Sequence, residues 1–434
     1  SRGLGDVYKR QISKNTGALA LYLAQIRSTR KYYSTKNSVK NVLDKTPIIG
    51  KGIGKAVKGT KQLLKYAIYH SNLFEDLGFK YLGPIDGHNL DELTEALMVA
   101  KMMQRPCLVH IYTKKGKGYA PAEDNSGEYH GLPPKKDDDN NCKGECFTDA
   151  FGKALLSFAD KDNSIYAVTA AMKYGTGLQH FYKAFPERFF DVGIAEQHAV
   201  TFSAGLASQG KLPVFAVYSS FLQRSYDQLI HDCAIEKRHI VLGIDRAGFV
   251  GEDGETHHGL FDVAMLTTVP GVTVYSPSDT AELSQCLEQA LYKDKGIVAV
   301  RYPRGCELYR SGTKAYSDFR HVSNKSRKLI FTYGRISAYA YTIHGVDVLQ
   351  AIKIFPIADE MIDICLAYDE IYAFEEGERE GGIAQKLCTA LALAGFKGRF
   401  TITAVDGFVR HADVAAQLHN AMLDADGMRK ITGE

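Results

Sequence analysis

One glutamate stands where a predicted strand gives way to a predicted helix. In the segment Asp191-Val-Gly-Ile-Ala-Glu196-Gln-His198, the strand ends near residue 192 and the helix begins near residue 195. Ligands of open parallel sheets bind beyond the carboxyl ends of the strands, so a carboxyl group there can hold or move a proton on a ligand. An isolated glutamate in a first helical turn more often only stabilises the helix N-terminus. The sequence around Glu196 has to decide between these two roles.

Two arginines and two histidines have types and positions that suit a phosphorylated ligand. Arg246 and Arg301 lie at the ends of two further predicted strands. Planar guanidinium groups bind phosphate in a bidentate manner, so this pair predicts a phosphate clamp. His257 and His130 are candidates for proton transfer because imidazole titrates near neutral pH, although a lone histidine is usually structural or solvated.

A lysine- and glycine-rich loop follows the predicted strand 107–113. Its sequence, Lys114-Lys115-Gly-Lys-Gly-Tyr119, makes it a candidate phosphate site, but the signal is weak by itself.

Cys142 and Cys146 could form half of a zinc site. No second pair of Cys or His stands nearby at ligand spacing, so we expect two loop cysteines and name no metal ligand.

These candidates have to be positioned by a series of short strands and helices. Strands are predicted at 79–82, 107–113, 164–169, 188–192, 213–218, 239–244, 272–275 and 297–301, with helices at 73–77, 89–103, 195–209, 220–234 and 279–292 and a turn at 83–87. Such alternation indicates an α/β protein with doubly wound parallel sheets. Polar stretches at 133–146 and 309–328 divide the chain into three predicted domains: 1–142, 143–312 and 313–434.

Charge is distributed unevenly along the chain. The 53 Lys and Arg exceed the 50 Asp and Glu by three, but residues 1–70 contain 15 basic residues and only Asp6 and Asp44 as acidic ones. A solvated basic loop is a better interpretation than a polyanion-binding arm, because no groove-reading motif accompanies the lysines. Since no run of 18 apolar residues occurs either, we expect neither a nucleic-acid nor a membrane partner, and a cytoplasmic location.

The sequence around Glu196 resembles the activating-glutamate segment of transketolase-type thiamine-diphosphate enzymes. Six further motifs narrow the resemblance to the 1-deoxy-D-xylulose-5-phosphate synthase family, from about Ile12 to the end of the chain. They are Gly83-Pro-Ile-Asp-Gly-His88, Lys114-Lys-Gly-Lys-Gly-Tyr119, Tyr218-Ser-Ser-Phe-Leu-Gln-Arg224, Asp245-Arg-Ala-Gly248, Gly251-Glu-Asp-Gly-Glu-Thr-His257 and Arg301-Tyr-Pro-Arg-Gly305. The fold implied is transketolase-like, in three domains of which the first is incomplete.

The resemblance implies a role for each candidate residue. A protonated Glu196 would hydrogen-bond the aminopyrimidine ring of thiamine diphosphate, and Phe221 would stack on that ring. Lys115 and Tyr119 would lie on the diphosphate side. The acceptor would be held by four residues: Tyr218, Arg246, Asp253 and Arg301. Asp253 cannot bind phosphate directly and would orient a hydroxyl group or His257, while His257 and His130 would transfer protons.

The implied reaction is the condensation of pyruvate with glyceraldehyde 3-phosphate to 1-deoxy-D-xylulose 5-phosphate, with release of carbon dioxide. The resemblance also implies Mg²⁺ as a second cofactor and a homodimer. The family binds its metal and diphosphate through a Gly-Asp-Gly and a later Asn-Asp-Asn stretch, and neither occurs in this sequence. The magnesium ligands are therefore missing, and we interpret residues 1–11 as a foreign leader on a truncated frame.

Two other functions stay open at this point. One is a split transketolase-type subunit that needs a partner chain, and the other is a non-enzymatic polyanion-binding protein that uses the basic N-terminal arm. Residues 1–11 and 34–62 are expected to pack poorly because they lack periodic apolar positions.

We expect the chain by itself to be catalytically inactive although it keeps the acceptor site. The cofactor's diphosphate has to be neutralised by magnesium, which needs oxygen ligands that usually include a carboxylate. Calorimetry with thiamine diphosphate and Mg²⁺ should therefore show weak binding. Micromolar affinity of the 434-residue chain for the cofactor would contradict this expectation.

Overall fold

The computed structural model describes residues 73–127, 129, 145–308, 310, 312 and 315–434. The chain divides into two compact units, Ser1–Pro133 and Pro134–Glu434. The expectations for residues 1–11 and 34–62, His130 and Cys142 lie outside the described residues. None of the described helices is long and apolar enough to cross a membrane.

The first unit contains a two-stranded parallel sheet. Strand β1 (Lys80–Asp86) pairs with β2 (Cys107–Tyr112), and the crossover between them contains helix α2 (Leu90–Met102). Two short helices complete its described part, α1 (Leu73–Asp76) and α3 (Ala120–Asp124). The turn predicted at 83–87 is wrong, because β1 continues through it with a register shift between Leu82 and Ile85.

The second unit contains a seven-stranded sheet with the order β12-β7-β8-β6-β5-β3-β4. Its strands are β3 (Ile165–Thr169), β4 (Phe189–Asp191), β5 (Leu212–Tyr218), β6 (Ile240–Asp245), β7 (Thr273–Tyr275), β8 (Ile297–Arg301) and β12 (Lys353–Phe355). All neighbours run parallel except β12 and β7. Strands β6 and β8 are buried at every position, as expected for a parallel sheet covered on both faces.

Helices cover both faces of this sheet. They are α4 (Phe147–Lys161), α5 (Gln179–Ala184), α6 (Glu196–Ser208), α7 (Ser219–Leu222), α8 (Tyr226–Gln228), α9 (Asp262–Leu266) and α10 (Thr280–Tyr292). The single helix predicted at 220–234 is instead a series of short helical turns that ends in a π-helix, Leu229–Ala234. The Ser225 hydroxyl donates to the Leu222 carbonyl and so competes with regular helical bonding there.

A second sheet of five strands follows in the same unit, with the order β14-β13-β10-β11-β9. Its strands are β9 (Phe319–Val322), β10 (Lys328–Tyr333), β11 (Asp347–Ala351), β13 (Glu370–Glu378) and β14 (Arg399–Val405). Its helices are α11 (Ser337–Ala340), α12 (Asp359–Leu366), α13 (Ile383–Leu393), α14 (Val414–Asn420) and α15 (Ala425–Thr432). Only β9 is antiparallel to its neighbour.

The two sheets of the second unit are joined by their cores. Buried residues of the first sheet, such as Ile244, and of the second, such as Phe331, belong to one hydrophobic cluster. Strand β12, from the segment 313–434, also adds to the edge of the first sheet. Groups of the second sheet can therefore reach the loops at the end of the first.

Candidate functional site

The candidate site lies at the carboxyl edge of the seven-stranded sheet. Strand β4 is followed by Glu196 at the start of α6, β5 ends at Tyr218, and β6 is followed by Arg246. Because these strands are parallel, their carboxyl ends meet at one edge, where ligands of such sheets bind.

Glu196 is a buried acid with an unsatisfied oxygen. Its residue is 2% exposed, and its Oε2 lies 3.0 Å from Nη1 of Arg224. This contact is an ion pair without hydrogen-bond geometry, so Oε2 has no hydrogen-bond partner in the described part of the chain. Burial raises the pKa of the Glu196 carboxyl, although its own backbone N–H and the charge of Arg224 partly offset the effect. Burial thus shifts the Glu196 carboxyl toward its protonated form, while the neighbouring Arg224 opposes that shift.

Phe221 is packed between two polar rings of the site. Its ring stacks on Tyr218 with centroids 5.8 Å apart and meets the His257 ring edge-on at 5.2 Å. Helix α7 carries Phe221, and the turn that follows it carries Arg224, the partner of Glu196. One short helical segment thus connects the acid with the aromatic group and the histidine.

Arg246 is held by groups from three segments. Its Nη1 donates to Oδ1 of Asp245 at 2.8 Å and to the carbonyl of Gly175, and its guanidinium lies 4.0 Å over the Tyr218 ring. Asp245 is completely buried and also accepts a 2.7 Å hydrogen bond from the Thr148 hydroxyl. The buried Nε of Arg246 has no partner among the described residues, so this donor is available to a ligand.

Gly175 is needed for this packing. A Cβ atom at this position would lie 1.7 Å from the Tyr218 hydroxyl. No other residue type can therefore place its carbonyl on Arg246 while Tyr218 keeps its position.

Arg304 is a member of this cluster that sequence reasoning did not select. Its Nη1 pairs with Oδ2 of Asp253 at 2.8 Å and donates to the Val250 carbonyl at 3.1 Å, and its side chain is 37% exposed. Burial raises the pKa of Tyr218, and its hydroxyl also feels charges from four residues of the cluster: Arg246, Asp245, Asp253 and Arg304. Arg246 therefore lies on the Tyr218 ring, and the charges of Asp253 and Arg304 are close enough to act on the Tyr218 hydroxyl.

Arg301 points to the face of the sheet opposite to Tyr218. It pairs in register with Ile244, whereas Tyr218 pairs with Asp245, the next residue of β6, and successive residues of a strand point to opposite faces. The residue is 3% exposed, and its guanidinium donates to both carboxyl oxygens of Asp262, at 2.8 and 3.2 Å, and to Ser276. The structure thus binds the Arg301 guanidinium to Asp262, away from the Tyr218 ring.

The signals for the two missed arginines were present in the motifs. Arg224 stands three residues after Phe221, and Arg304 stands three residues after Arg301. Sequence alone does not show which arginine of the Arg301-Tyr-Pro-Arg304 motif is buried, because both lie at the end of the same strand, three residues apart.

Two predicted cofactor ligands lie in the first unit. Partial burial lowers the pKa of Lys115, and Tyr119 is 55% exposed, with its ring edge-on to Tyr129 at 5.7 Å. That Lys115 and Tyr119 bind thiamine diphosphate stays a prediction.

In the second unit Cys146 lies next to Cys306, with 2.7 Å between the Sγ atoms.

The second unit fits one part of thiamine diphosphate. The Oε2 atom of buried Glu196, which accepts no hydrogen bond from the described residues, suits a ring nitrogen, and the nearby Phe221 ring suits an apolar aromatic face. Within the described ranges, no group of three or more His, Cys, Asp or Glu side chains could hold a metal ion. The residues thus fit the aminopyrimidine ring, and no magnesium ligand can be named from them.

Two family models match the sequence. The model described as 1-deoxy-D-xylulose-5-phosphate synthase matches residues 6–113, and the transketolase pyrimidine binding domain matches residues 146–307. The first match begins ahead of Ile12, where the resemblance was expected to start. It also speaks against the split-subunit alternative, which predicts none of the synthase's first domain there.

Solved structures show the same fold at low sequence identity. A split-gene transketolase, described as an inactive β4 tetramer, matches with a TM-score of 0.57 and 23% identity over 65% of this chain and 95% of that chain. The Campylobacter jejuni transketolase matches with a TM-score of 0.56 and 15% identity over 85% of this chain and 70% of its own. The predicted transketolase-like α/β fold is confirmed.

Curated relatives share far more sequence. A 1-deoxy-D-xylulose-5-phosphate synthase from Clostridium kluyveri is 46% identical over 76% of this chain and 54% of its own length. The synthase from Caldanaerobacter subterraneus is 39% identical over 96% of this chain and 70% of its own, and that from Brevibacillus brevis is 40% identical over 96% and 69%. With this identity along nearly the whole chain, the protein belongs to the 1-deoxy-D-xylulose-5-phosphate synthase family.

Proposed function

We propose that this chain carries the pyrimidine side and the acceptor side of an active site that condenses pyruvate with glyceraldehyde 3-phosphate. The product would be 1-deoxy-D-xylulose 5-phosphate, with release of carbon dioxide. The observation that carries the proposal is the stacking of the Arg246 guanidinium on the Tyr218 ring, beside Phe221, with the buried Nε of Arg246 unpaired in the described part of the chain. A homodimer is proposed with it, on the basis of the family alone.

Glu196 and Phe221 would serve the cofactor. Thiamine diphosphate, when bound, supplies the carbon nucleophile for decarboxylating a 2-oxo acid. The Glu196 carboxyl would hold a proton against a nitrogen of the pyrimidine ring, since burial favours its protonated form. Phe221 would fix the plane of that ring, and Arg224 would keep the Glu196 side chain in place.

The two arginines would bind the phosphate group of the acceptor. Arg246 has a buried donor without a protein partner, and Arg304 is partly exposed, so both retain donors for phosphate oxygens. We propose Arg304 for this role in place of Arg301, whose buried guanidinium is already bound in a bidentate manner by Asp262 and also donates to Ser276. Asp253 would orient Arg304 through their 2.8 Å ion pair.

His257 would transfer a proton to or from the oxygen of the aldehyde. It packs against Phe221, and its Nδ1 lies 2.8 Å from the Thr256 hydroxyl, which fixes the ring orientation. Imidazole is the side chain most often used as both donor and acceptor of a proton in catalysis. His130 stays a prediction for the same step.

Binding of the acceptor tests the proposal without requiring turnover. Calorimetry should show that the 434-residue chain binds glyceraldehyde 3-phosphate. Unphosphorylated glyceraldehyde should bind at least about tenfold more weakly, because charge-assisted hydrogen bonds to phosphate are lost. Arg246→Gln should weaken binding of the phosphate ester and leave that of glyceraldehyde unchanged.

A matched control is Arg327→Gln, which removes an exposed arginine of the second sheet. It should leave both affinities unchanged. Equal binding of the two aldehydes by the unmodified chain would show that the arginines are not a phosphate site.

A further inference from the structure

A buried ion pair from the five-stranded sheet reaches into the candidate site. Arg335 lies in the turn directly after β10, and Glu376 lies within β13; both are 6% exposed. The Nε of Arg335 donates to Oε2 of Glu376 at 2.9 Å, and its Nη2 donates to Oε1. The two side chains therefore form a bidentate pair with donors and acceptors left over.

The remaining groups of this pair bind the loop that follows Arg246. Nη2 of Arg335 donates to the Phe249 carbonyl at 2.9 Å, and Oε1 of Glu376 accepts from the Phe249 N–H at 2.7 Å. Both backbone groups of Phe249, three residues after Arg246, are thus held by side chains of the second sheet.

The same arginine also binds the loop that follows β8. Nη1 of Arg335 donates to the Arg304 carbonyl at 3.3 Å. One guanidinium therefore connects the backbone of Arg304 with the loop of Arg246. These are the two arginines that the proposed function assigns to the acceptor phosphate.

Glu376 lies so close to the backbone of residue 248 that no side chain fits at that position of the loop. Gly248 has a φ of +79°, and a Cβ atom there would lie 2.3 Å from Oε1 of Glu376. Glycine alone meets both conditions without strain. The loop conformation and the position of Glu376 are therefore matched to each other.

Stability alone is a poor explanation for this arrangement. A buried ion pair gains little net stability over an apolar pair of similar volume, because desolvation offsets the attraction. The pair does fix the orientation of the groups around it, because the planar guanidinium of Arg335 binds three partners at once. Binding of one phosphate group by two arginines depends on their spacing, and displacements of about 1 Å are costly in such sites.

We propose that Arg335, held by Glu376, is a positioning residue that sets the spacing of Arg246 and Arg304 for the phosphate of the acceptor. The inference rests on the proposed function of these two arginines. It gives the five-stranded sheet a part in acceptor recognition, although neither Arg335 nor Glu376 has to touch the ligand.

The test compares the affinity for glyceraldehyde 3-phosphate with the stability of the same variants of the full chain. Arg335→Gln combined with Glu376→Gln keeps the net charge but removes the bidentate pair. Arg335→Lys keeps the charge but cannot hold three partners. Both variants should raise the calorimetric Kd about tenfold, because the two loops are no longer held together. The urea midpoint of each variant is measured alongside.

The control is the exposed pair of Arg327 and Asp369, which directly precede β10 and β13. Combining Arg327→Gln with Asp369→Asn should leave the Kd unchanged. If the Arg335 variants unfold at lower urea but bind as tightly as the unmodified chain, the role is structural only and the inference is wrong. If the double variant does not fold, Arg335→Lys decides in its place. If the unmodified chain binds no glyceraldehyde 3-phosphate, the proposed acceptor site itself is wrong and this inference falls with it.

Discussion

Glu196→Gln is expected to reduce turnover by about 10²- to 10⁴-fold, the usual contribution of a positioned acid or base. The reason is that an amide keeps the size of the side chain but cannot exchange a proton with the pyrimidine ring. The measurement is the rate of carbon dioxide release from pyruvate, with glyceraldehyde 3-phosphate present, in a complete synthase that contains this site. Arg327→Gln is the matched control and should keep full activity. Unchanged turnover of the Glu196 variant would eliminate the assigned role.

The same substitution should change how stability depends on pH. Burial raises the pKa of Glu196 in the folded chain, whereas an unfolded glutamate has a pKa of about 4.3. Between the two pKa values the folded protein binds more protons, so this group's contribution to stability is full below the unfolded pKa and is lost as pH rises through the folded one.

Glu196→Gln removes that loss. The unfolding free energy of the variant minus that of the unmodified chain should therefore be higher at pH 7 than at pH 4. Urea unfolding of both proteins at the two pH values measures the difference. An equal effect of the substitution at pH 4 and pH 7 would show that the carboxyl is not perturbed.

The second large effect separates Arg301 from Arg304. Arg301→Met should lower the free energy of unfolding by about 3–5 kcal/mol, because it leaves the buried Asp262 without its partner. Combining it with Asp262→Leu should restore much of the loss, since an apolar pair can replace a buried ion pair. Urea unfolding gives these values.

Arg304→Gln should show the opposite pattern. The side chain is partly exposed, so the substitution should cost less than about 1 kcal/mol of unfolding free energy. Loss of a charged hydrogen bond to phosphate should weaken glyceraldehyde 3-phosphate binding by about 10- to 100-fold. Weakened binding in a folded Arg301 variant, together with normal binding in the Arg304 variant, would return Arg301 to the acceptor site.

The observed second unit follows most of the predicted strands. The predictions at 164–169, 239–244 and 297–301 agree with the structure within a residue or so. Short apolar runs between turn residues are read well from sequence, because a buried parallel strand needs apolar residues on both faces. The helix predicted at 220–234 is instead a series of short turns of different helix types, and hydrophobic periodicity does not report which backbone hydrogen-bond pattern a helix uses.

The sequence by itself determined the family, the order of strands and helices, and the placement of Glu196, Tyr218 and Arg246 at strand ends. These follow from motifs and from periodicity, which are local properties of the chain. Only the tertiary structure showed that Arg301 of the Arg301-Tyr-Pro-Arg304 motif is buried against Asp262 whereas Arg304 is partly exposed. This difference depends on strand register, since Arg301 pairs with Ile244 and Tyr218 with Asp245, so that Arg301 and Tyr218 point to opposite faces of the sheet.

The contacts between the two sheets of the second unit also could not be predicted from the sequence. Arg335 and Glu376 lie 86 and 127 residues after Phe249, the residue to which both hydrogen-bond. Hydrophobic patterns identify which residues are buried, but they do not specify which buried charges meet. That depends on how the two sheets of the second unit pack, which places the Arg335–Glu376 pair on the loops of Arg246 and Arg304.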